Sequence, residues 1–408
     1  MAKTDYEIVV GLEIHAEIST KSKMFCSCKN APGALPNENV CPVCMGFPGQ
    51  LPVINKEALR KGLIASLALG CKIPKLSRFD RKNYFYPDLP KGFQISQYDQ
   101  PISKDGSIKI KTGAIEKTIR IKRVHLEDDA GKLTHTDDVS LCDYNRSGVP
   151  LMEIVTEPDI SSSEEAVVFA KELQTLLRYV GASDADMEKG MMRFDASVSV
   201  RKKGDKKLYN RAEIKNLNSF RALQSALEYE SKRQIEMAED SKPLDSNITV
   251  AWDDEKQKTY VMRGKEGDAD YRYFPEPDLP PIVVDKKFIE ELRQSLPELP
   301  EQKRQKYAEM GISANECGII SLDPDMAKYF EQVASATEEN PKKVASFITS
   351  VFLKHLNNDN LSINASKIKP AFLARLMDLV CKSEISGNMA KGDIFEEMYH
   401  TGRGPDEI

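Results

Sequence analysis

The chain has 408 residues, of which 40% are hydrophobic and 30% are charged, and its formal net charge is −5. This composition is typical of a globular protein of two or three domains, and it excludes wholesale disorder and a generally basic nucleic-acid-coating protein. Eight cysteines are too few for a disulfide scaffold, no apolar run approaches the roughly 18 residues of a membrane span, and no apolar signal core follows Met1. We therefore expect a reduced, cytoplasmic protein that does not enter a membrane.

The first part of the chain, up to about residue 290, is predicted to consist mostly of strands with a few helices. Residues 6–18 alternate between apolar and polar side chains, which predicts a strand with Leu12 and Ile14 on one face and Glu13 and His15 on the other. Other predicted elements are helices at 57–69, 162–179 and 219–239, a strand at 151–157, and hairpins that pair 107–111 with 117–123 and 193–201 with 208–215.

A proline-rich stretch at residues 274–281 separates this region from a second one. Proline lacks the backbone donor that a helix interior or a central strand needs, so this stretch either ends the first domain or forms a rigid crossover. The later helical segments are 288–294, 301–310, 325–336, 341–356 and 366–381. The sequence therefore predicts an α+β fold, with a large, mainly antiparallel β domain at 1–290 and a small all-helical domain at 291–408.

Four of the eight cysteines lie in two close pairs, Cys26 with Cys28 and Cys41 with Cys44. A short loop that contains glycine, proline and asparagine joins the pairs, and this spacing fits a tetrahedral four-thiolate zinc site. Four protein ligands close such a site to substrate, so the predicted role is structural. The alternative is four ordinary free thiols.

Carboxylates and histidines recur two residues apart on the predicted strands, which is a spacing of about 6.6 Å along one strand face. Such groups suit a hard divalent cation such as Mg²⁺ or Mn²⁺. The alternative is that each residue lies on a solvated face of an antiparallel sheet. The residues are Glu13 and His15, His125 and Glu127 followed by Asp128 and Asp129, and Glu153.

Two further segments have the composition of a nucleotide site. Residues 80–88 (DRKNYFYPD) combine cations, an amide and aromatic residues, so that cations can bind phosphates and rings can stack on a base. The polar face of the hairpin at 193–215 indicates either a phosphate- or ribose-binding floor or a set of cross-strand salt bridges. The chain has no P-loop or dinucleotide motif, so any ATP site is of another type.

Seven segments together resemble one protein family, the B subunits of aspartyl/glutamyl-tRNA amidotransferases. The resemblance extends over essentially the whole chain, and its motifs are long and specific. The segments are residues 10–15 (VGLEIH), 80–88 (DRKNYFYPD), 94–97 (QISQ), 125–132 (HLEDDAGK), 150–159 (PLMEIVTEPD), 213–219 (EIKNLNS) and 270–278 (DYRYFPEPD).

The resemblance implies an ATP-dependent ligase of the bacterial, three-subunit type. ATP and Mg²⁺ phosphorylate the side-chain carboxylate of Glu on tRNA(Gln) or of Asp on tRNA(Asn), and ammonia displaces the phosphate to leave the amide. A glutaminase A subunit supplies the ammonia, and a small C subunit ties the other two into a heterotrimer. The family usually continues into a C-terminal tail domain, which this chain is expected to lack, with weaker tRNA binding and intact chemistry.

The resemblance also implies site residues. Its metal ligands correspond to Glu13, His15, Asp128 and Glu153, and Glu127 joins these four as a catalytic residue. The family usually has Glu-Glu-Asp where this chain has Glu127, Asp128 and Asp129. Its structural zinc knuckle corresponds to the four cysteines at residues 26–44. Its nucleotide-site segments correspond to Lys82, Asn83, Tyr84, Tyr86, Arg123, Asn145 and Arg146.

Two other functions stay open beside that of the amidotransferase family. One is a non-catalytic, tRNA-binding scaffold whose carboxylates hold only a structural ion. The other is a stand-alone, metal-dependent phosphotransferase that acts on a small carboxylate. Loss of ATP turnover in Glu153→Gln with retained tRNA binding distinguishes the enzyme from the scaffold, and ADP release without tRNA identifies the phosphotransferase.

Overall fold

The computed structural model describes residues 5–264 and 271–408, so Asp270, the first residue of the 270–278 motif, lies outside the described residues. The chain divides into two compact units, the first ending at Leu296 and the second beginning at Pro297. The first unit is rich in sheet and the second is helical, which confirms the predicted α+β fold class.

The first unit contains one eight-stranded sheet and three smaller sheets within the described residues. Its strands are β1 (Tyr6–Glu17), β2 (Leu76–Ser77), β3 (Asp80–Asn83), β4 (Phe93–Ser96), β5 (Ser103–Thr112), β6 (Ile115–Asp128), β7 (Lys132–His135), β8 (Ser140–Asp143), β9 (Pro150–Thr156), β10 (Met192–Lys202), β11 (Ala212–Leu217), β12 (Ile248–Asp253), β13 (Lys258–Gly264), β14 (Phe274–Pro275) and β15 (Ile282–Val283). Its helices are α1 (Lys56–Ala68), α2 (Ser163–Tyr179), α3 (Phe220–Glu239) and α4 (Lys286–Gln294).

The large sheet has the strand order β13-β12-β11-β10-β1-β9-β6-β5. All neighbouring strands are antiparallel except β11 and β12, which are parallel. Strands β5 and β6 form the first predicted hairpin, and β10 and β11 form the second. Strands β12 and β13 were not predicted, and they extend the sheet at one edge.

One face of the large sheet is apolar and carries the core. Strand β1 contributes Val10, Leu12, Ile14 and Ala16 to this core, because its side chains alternate as predicted. Helix α1 contacts β6, α2 contacts β5, and α3 contacts both β10 and β11. The polar side chains of the central strands consequently point to the face opposite these helices.

The proline-rich stretch begins as an edge strand. In the three-stranded sheet β14-β3-β4, Phe274 is opposite Arg81 and Pro275 is opposite Asp80. An edge position tolerates the missing N–H of proline, because one side of the strand has no ladder to complete. This sheet carries the 80–88 segment into contact with β6, since β4 packs against that strand.

The second unit consists of short helices. They are α5 (Pro300–Glu309), α6 (Ala314–Ser321), α7 (Pro324–Ala336), α8 (Pro341–Phe347), a π-helical turn (Ile348–Phe352), α9 (Leu353–Asn358), α10 (Pro370–Cys381), α11 (Gly387–Lys391) and α12 (Asp393–Thr401). Helix α10 starts four residues later than predicted, because Pro370 takes the first helical position, where its missing N–H has no cost. None of the helices in the described ranges combines the length and apolar character that crossing a membrane requires.

Candidate active site and cysteine cluster

Four polar residues lie side by side across the strands β6, β9, β1 and β10. In the register of the sheet, His125 is opposite Glu153, which in turn is opposite His15. His15 is opposite Arg193 on the next strand. Directly opposite residues in antiparallel strands have Cβ atoms about 5 Å apart, so these side chains meet on one face. We call these four residues the polar row.

The polar row occupies the face opposite the core because each strand alternates. In β9, Met152 and Ile154 belong to the core, and Glu153 between them points to the other face. In β1, Ile14 belongs to the core and His15 follows it on the opposite face. The predicted alternation, with apolar side chains on one face and polar side chains on the other, therefore holds around Glu153 in β9 and around His15 in β1.

Strand β6 reaches the same arrangement through a bulge. Ile121 and Val124 both face the core although they are three residues apart, because the register shifts between Ile121 and Arg123. An extra residue in a strand reverses which face the following side chains occupy. The bulge therefore turns Arg123, His125 and Glu127 to the face of the polar row.

The side chains around Glu153 approach each other closely. His125 Nε2 lies 3.0 Å from Glu153 Oε2, and His15 Nε2 lies 3.4 Å from the same oxygen. Glu127 adds a second carboxylate, 3.6 Å from His15 Nε2 and 3.7 Å from His125 Nε2. Glu13 Oε1 lies 3.8 Å from His15 Nε2. Since Glu127 and Glu153 are almost fully buried, these charges interact with little screening by water.

Burial and the neighbouring charges together set the protonation of these groups. Burial acts to lower the pKa of His125, but Glu153 and Glu127 raise it to about 9. Burial acts to raise the pKa of Glu153, yet the two histidines hold it well below its usual range. The pKa of Glu13 is raised, first by burial and then by the charge of Glu153. At neutral pH the imidazole of His125 is therefore protonated, and the carboxylate of Glu153 lies between it and His15, whose pKa Glu153 also raises against burial.

Two overlapping sets of donor atoms share His15. One set is His15 with Glu127 and Glu153, and the other is His15 with Glu13 and Asp195. Within each set the donor atoms lie within 4.8 Å of one another. Ligands at about 2.1 Å from Mg²⁺ are at most about 4.2 Å apart, so both sets fit a divalent cation after a small closure.

The two sets differ in their other partners. Asp195 is already engaged, because its Oδ2 accepts from Lys215 Nζ at 2.8 Å and its Oδ1 accepts from the N–H of Asn216 at 2.8 Å. Cross-strand ion pairs of this kind were one of the two predictions for the 193–215 hairpin. In contrast, among the described residues the carboxylates of the first set, Glu127 and Glu153, contact the two histidines and the hydroxyl of Ser96 rather than a lysine. The first set is therefore the better candidate metal site.

Asp128 does not join this cluster, which differs from the ligand set that the family resemblance implied. Consecutive strand residues point to opposite faces, so Asp128 points away from the face that Glu127 occupies. Its carboxylate forms an ion pair with Lys91 and accepts a hydrogen bond from the N–H of Ile95 at 2.9 Å. Burial raises its pKa against the pull of Lys91. Of the two adjacent carboxylates, Glu127 is the one that reaches the histidines of the polar row.

Two of the implied nucleotide residues, Lys82 and Arg123, lie beside the polar row. Burial opposes the charge of Lys82, but Glu127 and Glu153 hold its pKa above the usual value. Arg123 follows the same face of β6 as His125, and its Nε is buried with no hydrogen-bond partner in the described part of the chain. Both cations are thus available to an anionic ligand at this face.

Three other implied nucleotide residues have different surroundings. Tyr84 packs edge-on against Tyr271, with ring centroids 5.8 Å apart, whereas Tyr86 is more than half exposed. Asn83 Nδ2 donates to the carbonyl oxygens of Arg272 at 2.7 Å and of Tyr271 at 3.3 Å. Arg272 has a φ of 44°, in the left-handed region that non-glycine residues rarely adopt. The side chain of Asn83 therefore supports a strained turn.

Asn145 and Arg146 lie in the turn that precedes β9. Asn145 Oδ1 accepts from the N–H of Asn39 at 2.8 Å, and Arg146 Nη2 donates to the carbonyl of Gly131 at 2.7 Å. Both residues line a cavity that Glu17 of β1 also lines. Glu17 lies two residues beyond His15 on the same face of β1, so this cavity lies at the end of β1 that follows His15.

Contacts around the cluster include residues whose role the sequence did not indicate. Arg193 donates to both carboxylate oxygens of Asp129, each at 3.1 Å. Ser96 Oγ donates to Glu127 Oε2 at 3.0 Å. The sequence placed Arg193 on a polar strand face and Asp129 in an acidic run, but only the strand order and register bring the two together. The strand pattern placed His125 on one face with Glu127, but the site residues implied by the family resemblance did not include it.

The four predicted zinc ligands form a compact cluster. The Sγ atoms of Cys26, Cys28, Cys41 and Cys44 lie within 4.8 Å of one another. A tetrahedral zinc ion with Zn–S bonds of about 2.3 Å separates its sulfurs by about 3.8 Å, so the residues fit this metal. A hydrogen bond from Cys26, with help from Lys23, lowers the pKa of Cys44 to about 5, whereas burial raises that of Cys28 to about 11. The cluster therefore already stabilises one thiolate.

Two family models match most of the chain. Residues 8–290 match the GatB/GatE catalytic domain, and residues 328–408 match the GatB domain. The chain is 48% identical over 405 residues to the B subunit of the aspartyl/glutamyl-tRNA(Asn/Gln) amidotransferase of Persephonella marina, and 49% identical over 410 residues to the protein of that name from Caldicellulosiruptor bescii. Each alignment covers 99% of this chain and 85% of the relative. The chain therefore belongs to the GatB family, the B subunits of tRNA-dependent amidotransferases, which are ligases.

Proposed function

We propose that this chain activates the side-chain carboxylate of Glu on tRNA(Gln), or of Asp on tRNA(Asn), at the expense of ATP. The γ-phosphoryl group moves to a carboxylate oxygen, which leaves ADP and an acyl phosphate. Ammonia attacks the acyl carbon, loses a proton and displaces inorganic phosphate, which yields Gln-tRNA(Gln) or Asn-tRNA(Asn). The activation step is needed because a carboxylate is a poor electrophile and the phosphate is a good leaving group.

The polar row, together with Glu127, is the observation that carries this proposal. Glu127 and Glu153 are only 2% and 4% exposed, which does not fit the solvated strand face considered above. Burying carboxylates and imidazoles at the centre of a sheet costs free energy, and clusters of this kind are concentrated at functional sites. Arg193, at one end of the row, is held by an ion pair with Asp129, which lies outside the row.

Glu127, Glu153 and His15, with Glu13 beside them, are the proposed ligands of Mg²⁺ or Mn²⁺. A bound cation would neutralise phosphate oxygens that the carboxylates otherwise repel, and it would stabilise the charge of phosphoryl transfer. His125 orients Glu153 through their 3.0 Å contact, as hydrogen-bonded groups behind metal ligands generally do. Asp128 is left out of this ligand set because it pairs with Lys91.

Lys82 and Arg123 are the proposed contacts to the phosphate oxygens of ATP. Their charges lie beside the row, and a phosphate could accept from the Arg123 Nε, which has no partner among the described residues. Tyr84 and Tyr86 remain candidates for the nucleotide base. Asn83 is proposed to position the turn at Arg272 rather than to contact the nucleotide, since its side-chain amide donates to the backbone carbonyl of Arg272.

The proposal assigns catalysis to a domain at residues 1–290, with a structural zinc knuckle at 26–44, and treats residues 291–408 as a separate helical domain. The division of the chain after Leu296 supports this assignment. The proposed partners are a glutaminase A subunit, a small C subunit and a mischarged tRNA in the cytoplasm. The naming of the relatives as B subunits supports a complex with other subunits.

The proposal is tested by measuring ADP release from ATP and Mg²⁺ in the presence of the A and C subunits and ammonium. Mischarged Glu-tRNA(Gln), correctly charged Gln-tRNA(Gln) and no tRNA are compared. We expect release only with the mischarged tRNA, loss of release in Glu153→Gln, and wild-type release in Glu157→Gln, a matched control just beyond the end of β9. Equal ADP release without tRNA would favour the phosphotransferase. No release by a folded protein that still binds tRNA would favour the scaffold.

A further inference from the structure

The loop between the two cysteine pairs is hydrogen-bonded to the end of β8 and to the turn that follows it. Asn37 makes three of these bonds: its N–H donates to Asp143 Oδ1 at 3.0 Å, its Nδ2 donates to the carbonyl of Cys142 at 3.0 Å, and its Oδ1 accepts from the N–H of Tyr144 at 2.8 Å. One asparagine thus binds three consecutive residues, the last two of β8 and the first of the turn that follows.

Asn145 adds two more bonds between the same segments. Its Oδ1 accepts from the N–H of Asn39 at 2.8 Å, and its Nδ2 donates to the carbonyl of Leu35 at 2.6 Å. Each asparagine therefore binds the backbone of the other's segment. Asn37 has a φ of 62°, so this loop also adopts a backbone conformation that is uncommon for a non-glycine residue.

Lys23 connects the same turn with the cysteine cluster. The side chain is fully buried, and its Nζ lies 3.8 Å from Cys44 Sγ and 3.2 Å from the carbonyl of Tyr144. A buried ammonium is stable only near compensating negative charge. Four thiolates around Zn²⁺ carry a net charge of −2, so the metal-loaded cluster supplies the compensating negative charge. Lys23, held in place by this charge, also donates to the carbonyl of Tyr144 in the turn.

From the turn, a continuous set of bonds leads to the polar row. The N–H of Gly148 donates to the carbonyl of Asp129 at 2.9 Å, and the N–H of Asp129 donates to the carbonyl of Val149 at 2.9 Å. The carboxylate of Asp129 binds both terminal nitrogens of Arg193. Arg193 is the residue opposite His15 in the register of the sheet.

We propose that the metal-loaded cysteine cluster positions residues 142–148 through Lys23 and Asn37, and thereby orders Asp129 and Arg193 at the end of the polar row. Lys23 and Asn37 are thus positioning residues. Only the catalytic consequence of this coupling rests on the proposed function. The competing possibility is that the knuckle stabilises only its own loop, in which case residues 142–148 are indifferent to the metal.

The test measures amide hydrogen exchange of the full chain with zinc bound and after its removal. Coupling predicts at least about tenfold faster exchange in residues 142–148 as well as in 26–44 when the metal is removed, because several hydrogen bonds open together. Residues 166–177 of α2, far along the chain from the knuckle, serve as the internal reference. Faster exchange confined to residues 26–44 would overturn the proposal.

Two variants distinguish a positioning role from a role in metal binding. Metal binding is measured by replacing zinc with Co²⁺, whose thiolate charge-transfer absorption appears only when the cysteines bind the ion. Asn37→Gly tolerates the positive φ and removes only the side-chain bonds. Lys23→Met keeps the side-chain length and removes the charge. Lys29→Met, an exposed position between the cysteine pairs, is the matched control.

We expect Asn37→Gly to retain the Co²⁺ absorption and to exchange about tenfold faster in residues 142–148. Lys23→Met is expected to show the same exchange and to release Co²⁺ to a chelator faster than the control. If Lys23→Met does not fold, the Asn37→Gly result decides alone. Exchange in residues 142–148 of metal-loaded Asn37→Gly that equals that of Lys29→Met would overturn the proposal, and none of these measurements depends on ATP turnover.

Discussion

The charge pairing within the polar row predicts a pH-dependent stability that rests on one carboxylate. Glu153→Gln keeps the shape of the side chain and removes the charge that lies 3.0 Å from His125 Nε2. The pKa of His125 is about 9 in the folded protein, against the ordinary value of 6.5. Because the folded state binds this proton more tightly than the unfolded state, the stabilisation is complete below pH 6.5 and is lost as the pH rises through 9.

The raised pKa of His125 corresponds to at most about 3 kcal/mol, at about 1.4 kcal/mol per pH unit. Urea unfolding at pH 6.5 and 9.5, without added Mg²⁺ or Mn²⁺, measures this contribution. Through His125 the wild-type protein should lose up to about 3 kcal/mol more stability across this range than Glu153→Gln. His15, whose pKa Glu153 also raises against burial, changes the difference in the same direction. Glu127 also raises the pKa of His125, so the difference falls below this maximum where Glu127 compensates.

Glu157→Gln is the control for this experiment, because it changes a carboxylate just after the same strand without touching the polar row. It should show the wild-type dependence on pH. Equal loss of stability in the wild-type protein and in Glu153→Gln would refute the reasoning, because Glu153 would then not be the charge that holds the proton on His125.

Lys91→Met should destabilise the protein by about 3 kcal/mol at pH 7, because the buried Asp128 carboxylate loses its cation, and the loss should shrink at pH 4 as Asp128 takes up a proton. Urea unfolding at both pH values measures this difference, and an equal loss at both would contradict it. Asn83→Ala should cost about 1–2 kcal/mol in thermal unfolding by freeing the Arg272 turn, and no change would show that the turn holds itself. Removal of zinc should lower the unfolding midpoint, and Cys41→Ser should leave a protein whose midpoint no longer responds to zinc.

Local patterns in the sequence predicted much of the fold. The alternation in β1 correctly separated Leu12 and Ile14 from Glu13 and His15, because one face of this strand is buried. The helix predicted at 162–179 is α2, and the hydroxyl of Ser162 caps its start by accepting from the backbone N–H of Glu165. Strands β12 and β13 and helices α6, α11 and α12 were not predicted. Of these, β12 has six residues and α11 has five, so each offers few repeats of its period.

The candidate site depended on information that alternation does not contain. Strand alternation predicted that Glu13 and His15 share a face, but the order β1-β9-β6 places Glu153 between two strands that are distant in the sequence. The bulge beside Arg123 decides which face His125 occupies, and the pattern of apolar and polar residues did not predict this bulge. The family pattern implied Asp128 as a ligand. In β6, however, side chains alternate between the two faces, and it is Glu127 that lies on the same face as His125.

The central claim is that a divalent cation binds at the polar row. Its most direct test is to measure, by electron paramagnetic resonance, how tightly Mn²⁺ binds to two variants at adjacent positions. If the cation site lies at the polar row, Glu127→Gln should weaken Mn²⁺ binding by at least about tenfold, because a charged ligand is lost. Asp128→Asn should bind Mn²⁺ as the wild-type protein does, because its carboxylate pairs with Lys91 on the other face. Loss of binding in a folded Asp128→Asn protein, with retention in Glu127→Gln, would contradict the account.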